Sequence, residues 1–342
     1  NHILVCSGNY TTIEGLAFRP GAKRGEEQLT CLYHSCDNLT IRNCTFSSFP
    51  RKAIQGSYDA GSITIEFCEF DSNGAFVVLH TVDVFSHKQG AVATIQHCYF
   101  HDGTGGNLFK SHCPRNIIRY NWFESPYYSA LQIVSMLKSE PNEMELGKNA
   151  ALFPMHTDVV GNVFFQGWSP GSRYAVLSLG GEQAMAPGTE GEFNIAHNLF
   201  ITTNGGVSPA VPILVSGNVD HVKVYNNAFL EYGVKGCQVY LRGPTYDCLR
   251  TEAFVRRRGT GDPIVEGANN WISLKSTDIP DTFQKTFRGL NPKFVDLLYF
   301  NFQPRKDSPL AGAGMWPLPA GQVADLVPQY EPQRGIPADC KP

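Results

Sequence analysis

Apolar and polar positions recur in a fixed order along most of the chain. An aliphatic residue is followed three positions later by Cys or Asn, and two positions after that by Phe. Seven clear copies begin at Ile41, Ile65, Ile95, Ile118, Val159, Ile195 and Val224, and a weaker one has Ile13, Leu16 and Phe18. Successive copies lie roughly two to four dozen residues apart, which is the length of one supersecondary unit. The sequence therefore predicts a chain of stacked repeating units.

Each unit consists of short β-branched and aromatic runs separated by Gly, Asn, Asp and Pro, without a long helical period. This pattern is typical of one coil of a β-solenoid. Strands of adjacent coils lie about 4.8 Å apart, so Phe would stack on Phe and Asn on Asn, with the amides pairing in a ladder at a sharp turn. We expect an all-β solenoid with Asn/Cys and Phe ladders.

The repeat with its Asn ladder resembles the right-handed, single-stranded parallel β-helix of the pectin-lyase-like superfamily. The resemblance covers roughly residues 13–314, and Asn291–Phe294 with Phe302 and residues 308–314 is similar to the usual last coil of such proteins. We expect one β-helix domain, 1–316, and an extended tail, 317–342. Loop insertions are expected at 136–157, 180–191 and 233–262. Because the superfamily includes lyases, hydrolases, esterases, epimerases and non-catalytic binders, the fold does not identify an activity.

Composition indicates the number of domains and the classes of partner. The 342 residues are 42% hydrophobic, enough for a large core in one domain. A formal net charge of −3 indicates no general nucleic-acid surface, and no apolar run approaches the ~20 residues of a membrane span. The resemblance favours a secreted, periplasmic or cell-surface location. A coil begins at Ile13 without the helix that normally covers the first coil of such folds, so we expect a fragment or a protein partner on those strand edges.

We do not expect the ten cysteines to form a single disulfide framework. Cys44, Cys68 and Cys98 occupy the ladder position that Asn fills in later coils, so we expect buried, reduced thiols. Cys237 and Cys248 flank a turn-rich segment and could close a loop as a disulfide, an alternative that stays open.

The alternation of side chains along a strand places polar residues on the outer face. An inward Phe109 makes Lys110 outward, and Gln132 points outward between its apolar neighbours. Counting from the repeats places Gln55, His80, Lys110 and Gln132 in or near one outward column. Columns of this kind line the substrate groove of polysaccharide-active β-helices, and the insertions after them would form its walls.

Lys110-Ser111, shortly before the repeat at Ile118, is similar to a motif of the alginate and chondroitin lyases of polysaccharide lyase family six, in which the lysine is the base. The chain departs from that family in having Gln132 at the place of an arginine, and Gly103 and Gly105 at the places of calcium-binding glutamates. The resemblance is closer to uncharacterised bacterial β-helix proteins with the pairs His101-Asp102, Gly106-Asn107 and Lys110-Ser111.

β-Elimination requires a base, a cation or strong donor on the uronate carboxylate, and an acid for the leaving oxygen. We expect Lys110 to be the base if its neighbours depress its pKa. The expected carboxylate donors are Arg115, His112 and Gln132, and the expected acids are Tyr127, Tyr128 and His156. The expected substrate contacts are Gln55, His80, Tyr99, Trp122 and Glu182, with Tyr99 and Trp122 stacking on sugar rings. The alternative is a non-catalytic glycan-binding or structural solenoid in which Lys110 is an ordinary outward lysine.

Two other chemistries have weaker support. A glycoside hydrolase needs two carboxylates, for which Asp71 and Glu124, roughly 10 Å apart across two coils, are the candidates. His80, Asp83 and His87 do not predict a metal site, because outward side chains of one strand diverge. Calcium bound by loop carboxylates stays open, with Glu143, Glu145 and Glu182 as the candidates.

Overall fold

The protein is an all-β, right-handed parallel β-helix. The computed structural model describes residues 2–21, 29–75, 79–134, 153–166, 175–180, 191–203, 211–215, 219–235, 238–240, 249–251, 264–274, 279–297 and 299–314. Each coil supplies one strand to each of three parallel sheets, here called sheets A, B and C. Among these residues there is no helix, and hence none with the length and hydropathy to cross a bilayer.

The strands follow one another in the order A, B, C around each coil. Sheet A contains β1 (His2–Cys6), β4 (Thr30–His34), β7 (Lys52–Gly56), β10 (Val82–Phe85), β13 (Phe109–His112), β16 (Leu131–Ile133), β19 (Ala175–Leu179), β22 (Val211–Val215) and β26 (Leu249–Thr251). Sheet B contains β2 (Thr11–Glu14), β5 (Asn38–Arg42), β8 (Ser62–Glu66), β11 (Val92–Gln96), β14 (Arg115–Arg119), β17 (Met155–Val160), β20 (Gly191–Ala196), β23 (His221–Tyr225), β27 (Ile264–Ala268) and β29 (Phe283–Gln284). Sheet C contains β3 (Ala17–Phe18), β6 (Thr45–Ser47), β9 (Glu69–Asp71), β12 (Tyr99–His101), β15 (Trp122–Glu124), β18 (Val163–Gln166), β21 (Leu199–Thr203), β24 (Ala228–Lys235), β28 (Trp271–Ser273) and β30 (Phe287–Gly289). β25 (Gln238–Tyr240) pairs antiparallel with β24, and β31 (Phe294–Asp296) pairs antiparallel with β32 (Asn301–Pro304).

The predicted Phe ladder is confirmed. Its rings stack in register through eight coils at centroid distances of 4.4 to 5.2 Å, and they are Phe18, Phe46, Phe70, Phe100, Phe123, Phe164, Phe200 and Phe229. The stack runs through the main hydrophobic core, which explains why each coil of the repeat carries this residue.

The Asn ladder is also confirmed and extends further than predicted. Nδ2 of Asn198 donates to Oδ1 of Asn227 at 3.0 Å, and Nδ2 of Asn227 donates to Oδ1 of Asn270 at 3.2 Å. The coil of Asn270 escaped the sequence pattern because Gly267 and Ile272 replace its aliphatic and Phe positions.

The ladder cysteines are buried and free, as predicted. The thiol of Cys98 donates to the carbonyl of Ile65 at 3.6 Å, as the amide of Asn121 donates to the carbonyl of Ile95 at 2.9 Å. A thiol therefore continues the same pattern with a weaker donor. Cys237 and Cys248 lie outside the described residues, so their pairing stays a prediction.

Three expected boundaries differ in the structure. Of the expected insertions, 136–157 overlaps β17, because residues 155–157 pair with β14 and β20, and 180–191 overlaps the first residue of β20. The range 233–262 was expected to be irregular, but residues 233–235 pair with β25, and β26 pairs with β22 in sheet A. Residues 233–262 lack the repeat of an aliphatic residue, Cys or Asn, and Phe, so no signal in the sequence indicated these strands.

The segment expected to form the last coil instead forms a hairpin. β29 and β30 make the last described coil by pairing with β27 and β28, whereas β31 and β32 pair with each other. The ring of Phe302 stacks on Trp122 at 5.3 Å, and Phe300 contacts the same indole edge-on. The hairpin therefore covers part of the outer face of sheet C, driven by burial of its aromatic side chains.

Candidate functional site

The outward column around Lys110 exists, with one change in its members. Gln55, Asp83, Lys110, Gln132 and Ser178 lie opposite one another on successive strands of sheet A. His80, which we expected in or near this column, lies beside it, and Asp83 stands between Gln55 and Lys110. β10 begins only at Val82, so the turn that contains His80 is longer than the repeat spacing implied.

Asp83 belongs to a buried ion pair that the sequence did not indicate. The ammonium group of Lys52 contacts its carboxylate, and both side chains are buried. A buried charge is tolerated only when it is paired, so each residue requires the other. Lys110, half-buried on the neighbouring strand, adds a second positive charge beside this pair.

His80 is buried next to this column rather than within it. Its Nδ1 accepts a hydrogen bond from the backbone N–H of Asn107 at 3.0 Å, so a neutral ring carries its proton on Nε2. Burial, together with the positive charges of Lys110, Lys52 and His112, holds the pKa of His80 well below its usual value. The imidazole is therefore neutral near neutral pH.

Gln132 has an internal role. Its Oε1 accepts a hydrogen bond from Nδ2 of Asn107 at 2.7 Å, and Oδ1 of Asn107 accepts one from the N–H of Ser129 at 3.2 Å. Gln132 and Asn107 are both buried. Gln132 is only 2% exposed, which does not agree with the expectation that it holds a substrate carboxylate, and its Oε1 instead fixes the turn that leads to Lys110.

His112 lies on the same face as Lys110, beside aromatic residues that the sequence analysis missed. Its ring stacks on Phe85 at 4.4 Å, and Phe85 contacts the ring of the exposed Tyr58 at 5.1 Å. The repeat pattern gave no signal for Tyr58, because it lies in a turn. Together these rings form an aromatic flank to the lysine column.

Arg115 and His156 lie on a different sheet from Lys110. They face each other in register on sheet B, where the Arg115 guanidinium pairs with Asp158. Nε2 of His156 lies 3.3 Å from Oδ1 of Asp158, which also accepts a hydrogen bond from Asn194 at 2.8 Å. Burial alone would raise the pKa of Asp158, but these partners lower it. Arg115 and His156 are both engaged with Asp158 on sheet B, so their expected roles beside Lys110 are corrected.

Tyr99 and Trp122 are opposite each other in register, as expected for adjacent coils, but they are only 8% and 4% exposed. Oε2 of Glu124 accepts hydrogen bonds from the Tyr99 hydroxyl at 3.0 Å and the Trp122 indole N–H at 3.1 Å, and the hairpin covers the indole. The two rings therefore offer no free face to a sugar. Glu124 is an internal acceptor rather than the partner of Asp71 in a hydrolase pair.

The remaining candidates divide between described and undescribed residues. Tyr127 and Tyr128 are half-buried in the turn before β16, next to sheet A, and their role as acids stays a prediction. Glu143, Glu145 and Glu182 lie outside the described residues. Among the described residues, donor atoms with metal-binding spacing come from Asp71, His101 and Asp102 instead of the His80, Asp83 and His87 considered from sequence.

Comparison with known proteins supports the fold. The family described as right-handed beta helix region matches residues 3–145, a range that includes Lys110 and its flanking residues. No curated protein matches the chain. The family description concerns architecture, so the chemistry of the site has to be argued from its residues.

Proposed function

We propose that the protein binds an acidic, uronate-containing polysaccharide along sheet A and cleaves it by β-elimination at Lys110. The observation that carries this proposal is the charge of the column. Lys52 and Lys110 accompany the single carboxylate Asp83 on the described strands β7, β10, β13 and β16, which leaves an excess positive charge on a face lined by parallel strands. A polyanion complements such a face.

The aromatic flank supports a carbohydrate rather than another anion. Tyr58 exposes its ring next to Phe85, and His112 continues the row toward Lys110. Aromatic faces pack well against the apolar faces of sugar rings, while the adjacent cations engage carboxylates.

The elimination assigns one role to each neighbouring side chain. In its unprotonated form, the Lys110 amine removes the proton α to the uronate carboxylate, His112 donates to that carboxylate, and the electron pair forms the new carbon–carbon double bond. The glycosidic oxygen leaves with a proton from Tyr128. His80 is neutral and lies beside the column, so it adds no charge to it.

A non-catalytic glycan-binding solenoid is the second candidate, and a specific observation favours it. Two of the three expected carboxylate donors are not presented to a ligand beside Lys110, since Arg115 pairs with Asp158 on sheet B and Gln132 is buried. Both candidates imply an extracytoplasmic location, where such polymers occur, and both remain compatible with a partner at the first coil.

The ultraviolet absorbance of unsaturated uronate separates the two candidates. Alginate, chondroitin, polygalacturonate and glucuronan are incubated with the protein, with Lys110→Ala and with Lys293→Ala. Lys293 is a half-exposed lysine on the C-terminal hairpin that serves as the matched control. Absorbance that is lost only in Lys110→Ala supports the lyase. Binding without absorbance supports the second candidate. If the protein shows no binding and no absorbance with any of the polymers, the proposal is overturned.

A further inference from the structure

A cluster of metal-ligating side chains lies on sheet C, away from the lysine column. Asp71 ends β9 and His101 ends β12 in the next coil, and the two residues are opposite each other in register. Asp102 follows at a positive φ of 51°, which turns its carboxylate back toward the same point. One donor atom from each of the three residues lies within 4.8 Å of the others.

The imidazole of His101 is held in a defined orientation. Its Nδ1 faces Oδ2 of Asp102 at 2.8 Å and Oδ1 of Asp71 at 3.7 Å, while its Nε2 faces Oε1 of Glu69 at 3.3 Å. The ring stacks on Tyr99 at 4.2 Å. A carboxylate on the distal nitrogen fixes the tautomer of a metal-binding histidine, so Glu69 leaves Nδ1 directed at the two aspartates.

The carboxylates of Asp71 and Asp102 are paired with His101. Within the described part of the chain, neither pairs with a lysine or an arginine. These two carboxylates leave a net negative charge at Nδ1 even when the ring is protonated. A divalent cation at Nδ1 would neutralise that charge.

We propose that Asp71, His101 and Asp102 bind a divalent transition-metal cation of the Zn²⁺ type, with Glu69 orienting His101. One imidazole nitrogen and two carboxylate oxygens match the ligands that Zn²⁺ accepts, whereas Ca²⁺ and Mg²⁺ prefer oxygen alone. The ion has three protein ligands and binds water at its open position.

The site would join two consecutive turns of the solenoid. Asp71 precedes the turn that leads to β10, and Asp102 begins the turn that leads to β13, the strand that contains Lys110. These turns already contact each other, because the N–H of Thr104 donates to the carbonyl of Asn73 at 3.1 Å. A bound cation would stiffen both turns whether or not the lysine column acts on a polysaccharide.

Isothermal titration with ZnCl₂, CaCl₂ and MgCl₂ tests the site in the metal-free full chain at neutral pH. Asp102→Asn is the informative variant, since the Asp102 side chain is 63% exposed and its replacement leaves the core intact. Asp307→Asn is the matched control, because Asp307 is 57% exposed on the C-terminal hairpin. We expect one Zn²⁺ per chain, weakened at least tenfold by Asp102→Asn and His101→Gln and unchanged by Asp307→Asn, with Glu69→Gln costing about 10- to 100-fold.

Three results would contradict the proposal. Zinc bound equally well by Asp102→Asn and by the unaltered chain would place the ion elsewhere and overturn the proposal, as would no binding or a preference for Ca²⁺.

Discussion

Asp83 stands directly opposite Lys110 on neighbouring strands, and its carboxylate is already held by Lys52. The outward column around Lys110, in which the sequence did not indicate Asp83, therefore contains a buried ion pair. Its surplus charge is positive, which makes an anionic polymer the complementary ligand.

Breaking the ion pair should destabilise the protein strongly. Lys52→Met leaves the Asp83 carboxylate buried without its ammonium partner, so we expect the free energy of unfolding to fall by about 3–5 kcal/mol. Urea denaturation measures the change, with Lys293→Met as an exposed control. Because the combined variant Lys52→Met/Asp83→Leu removes both charges, it should recover much of the loss. A loss below about 1 kcal/mol in the single variant would mean that the pair is solvated, as exposed pairs are.

Gly106 should be irreplaceable because of His80. The residue has a φ of 55°, and an added Cβ would lie 2.6 Å from Nδ1 of His80. Gly312 provides a control for the backbone alone, because it has a φ of 67° but open space around the same position. Gly312→Ala should cost about 1 kcal/mol, and Gly106→Ala clearly more, with loss of the Asn107–His80 hydrogen bond. Equal melting temperatures for the two variants would show that the contact with His80 has no effect.

The Asn positions of the ladder should contribute more to the free energy of unfolding than the Cys positions. Asn198→Ala removes the donor to the carbonyl of Val159 and the acceptor for the N–H of Asn162. Each buried group left without a partner costs about 1–3 kcal/mol. Cys98→Ala removes hydrogen bonds of a thiol, which are weak, so its cost should be smaller. Chemical denaturation of both variants gives the comparison, and a larger loss for Cys98→Ala would contradict the assigned hydrogen-bonding roles.

Acid should destabilise the fold through buried histidines. Burial lowers the pKa of His34 to about 4 and that of His197 to about 4. An unfolded histidine titrates near 6.5, so the unfolded chain binds more protons between these values. The stability is complete above about pH 6.5 and is lost as the pH falls toward 4, by about 3 kcal/mol for the fully buried His34. Urea unfolding at several pH values measures how the free energy of unfolding depends on pH. This dependence should be shallower in His34→Leu, and an unchanged dependence would show that His34 is not a cause.

The repeat predicted the ladders because each coil must present the same residue at the same height, so local spacing determines the contacts. The turns between sheets vary in length, and the spacing could not show that Asp83 rather than His80 reaches the column. The turn at Cys113 and Pro114 redirects the chain, which carries Arg115 from the face of Lys110 to sheet B. His101 and Asp71 are thirty residues apart and meet only through strand register, which no local pattern shows.

The most direct test of the account is the affinity of an oligogalacturonate for the unaltered chain, Lys110→Met and Lys293→Met, each measured by titration at low and moderate salt. We expect Lys110→Met to weaken binding about tenfold, equivalent to about 1.4 kcal/mol, and to reduce its salt dependence, while Lys293→Met changes neither. Equal affinities for Lys110→Met and the unaltered chain would contradict the assignment of the lysine column as the polysaccharide-binding face.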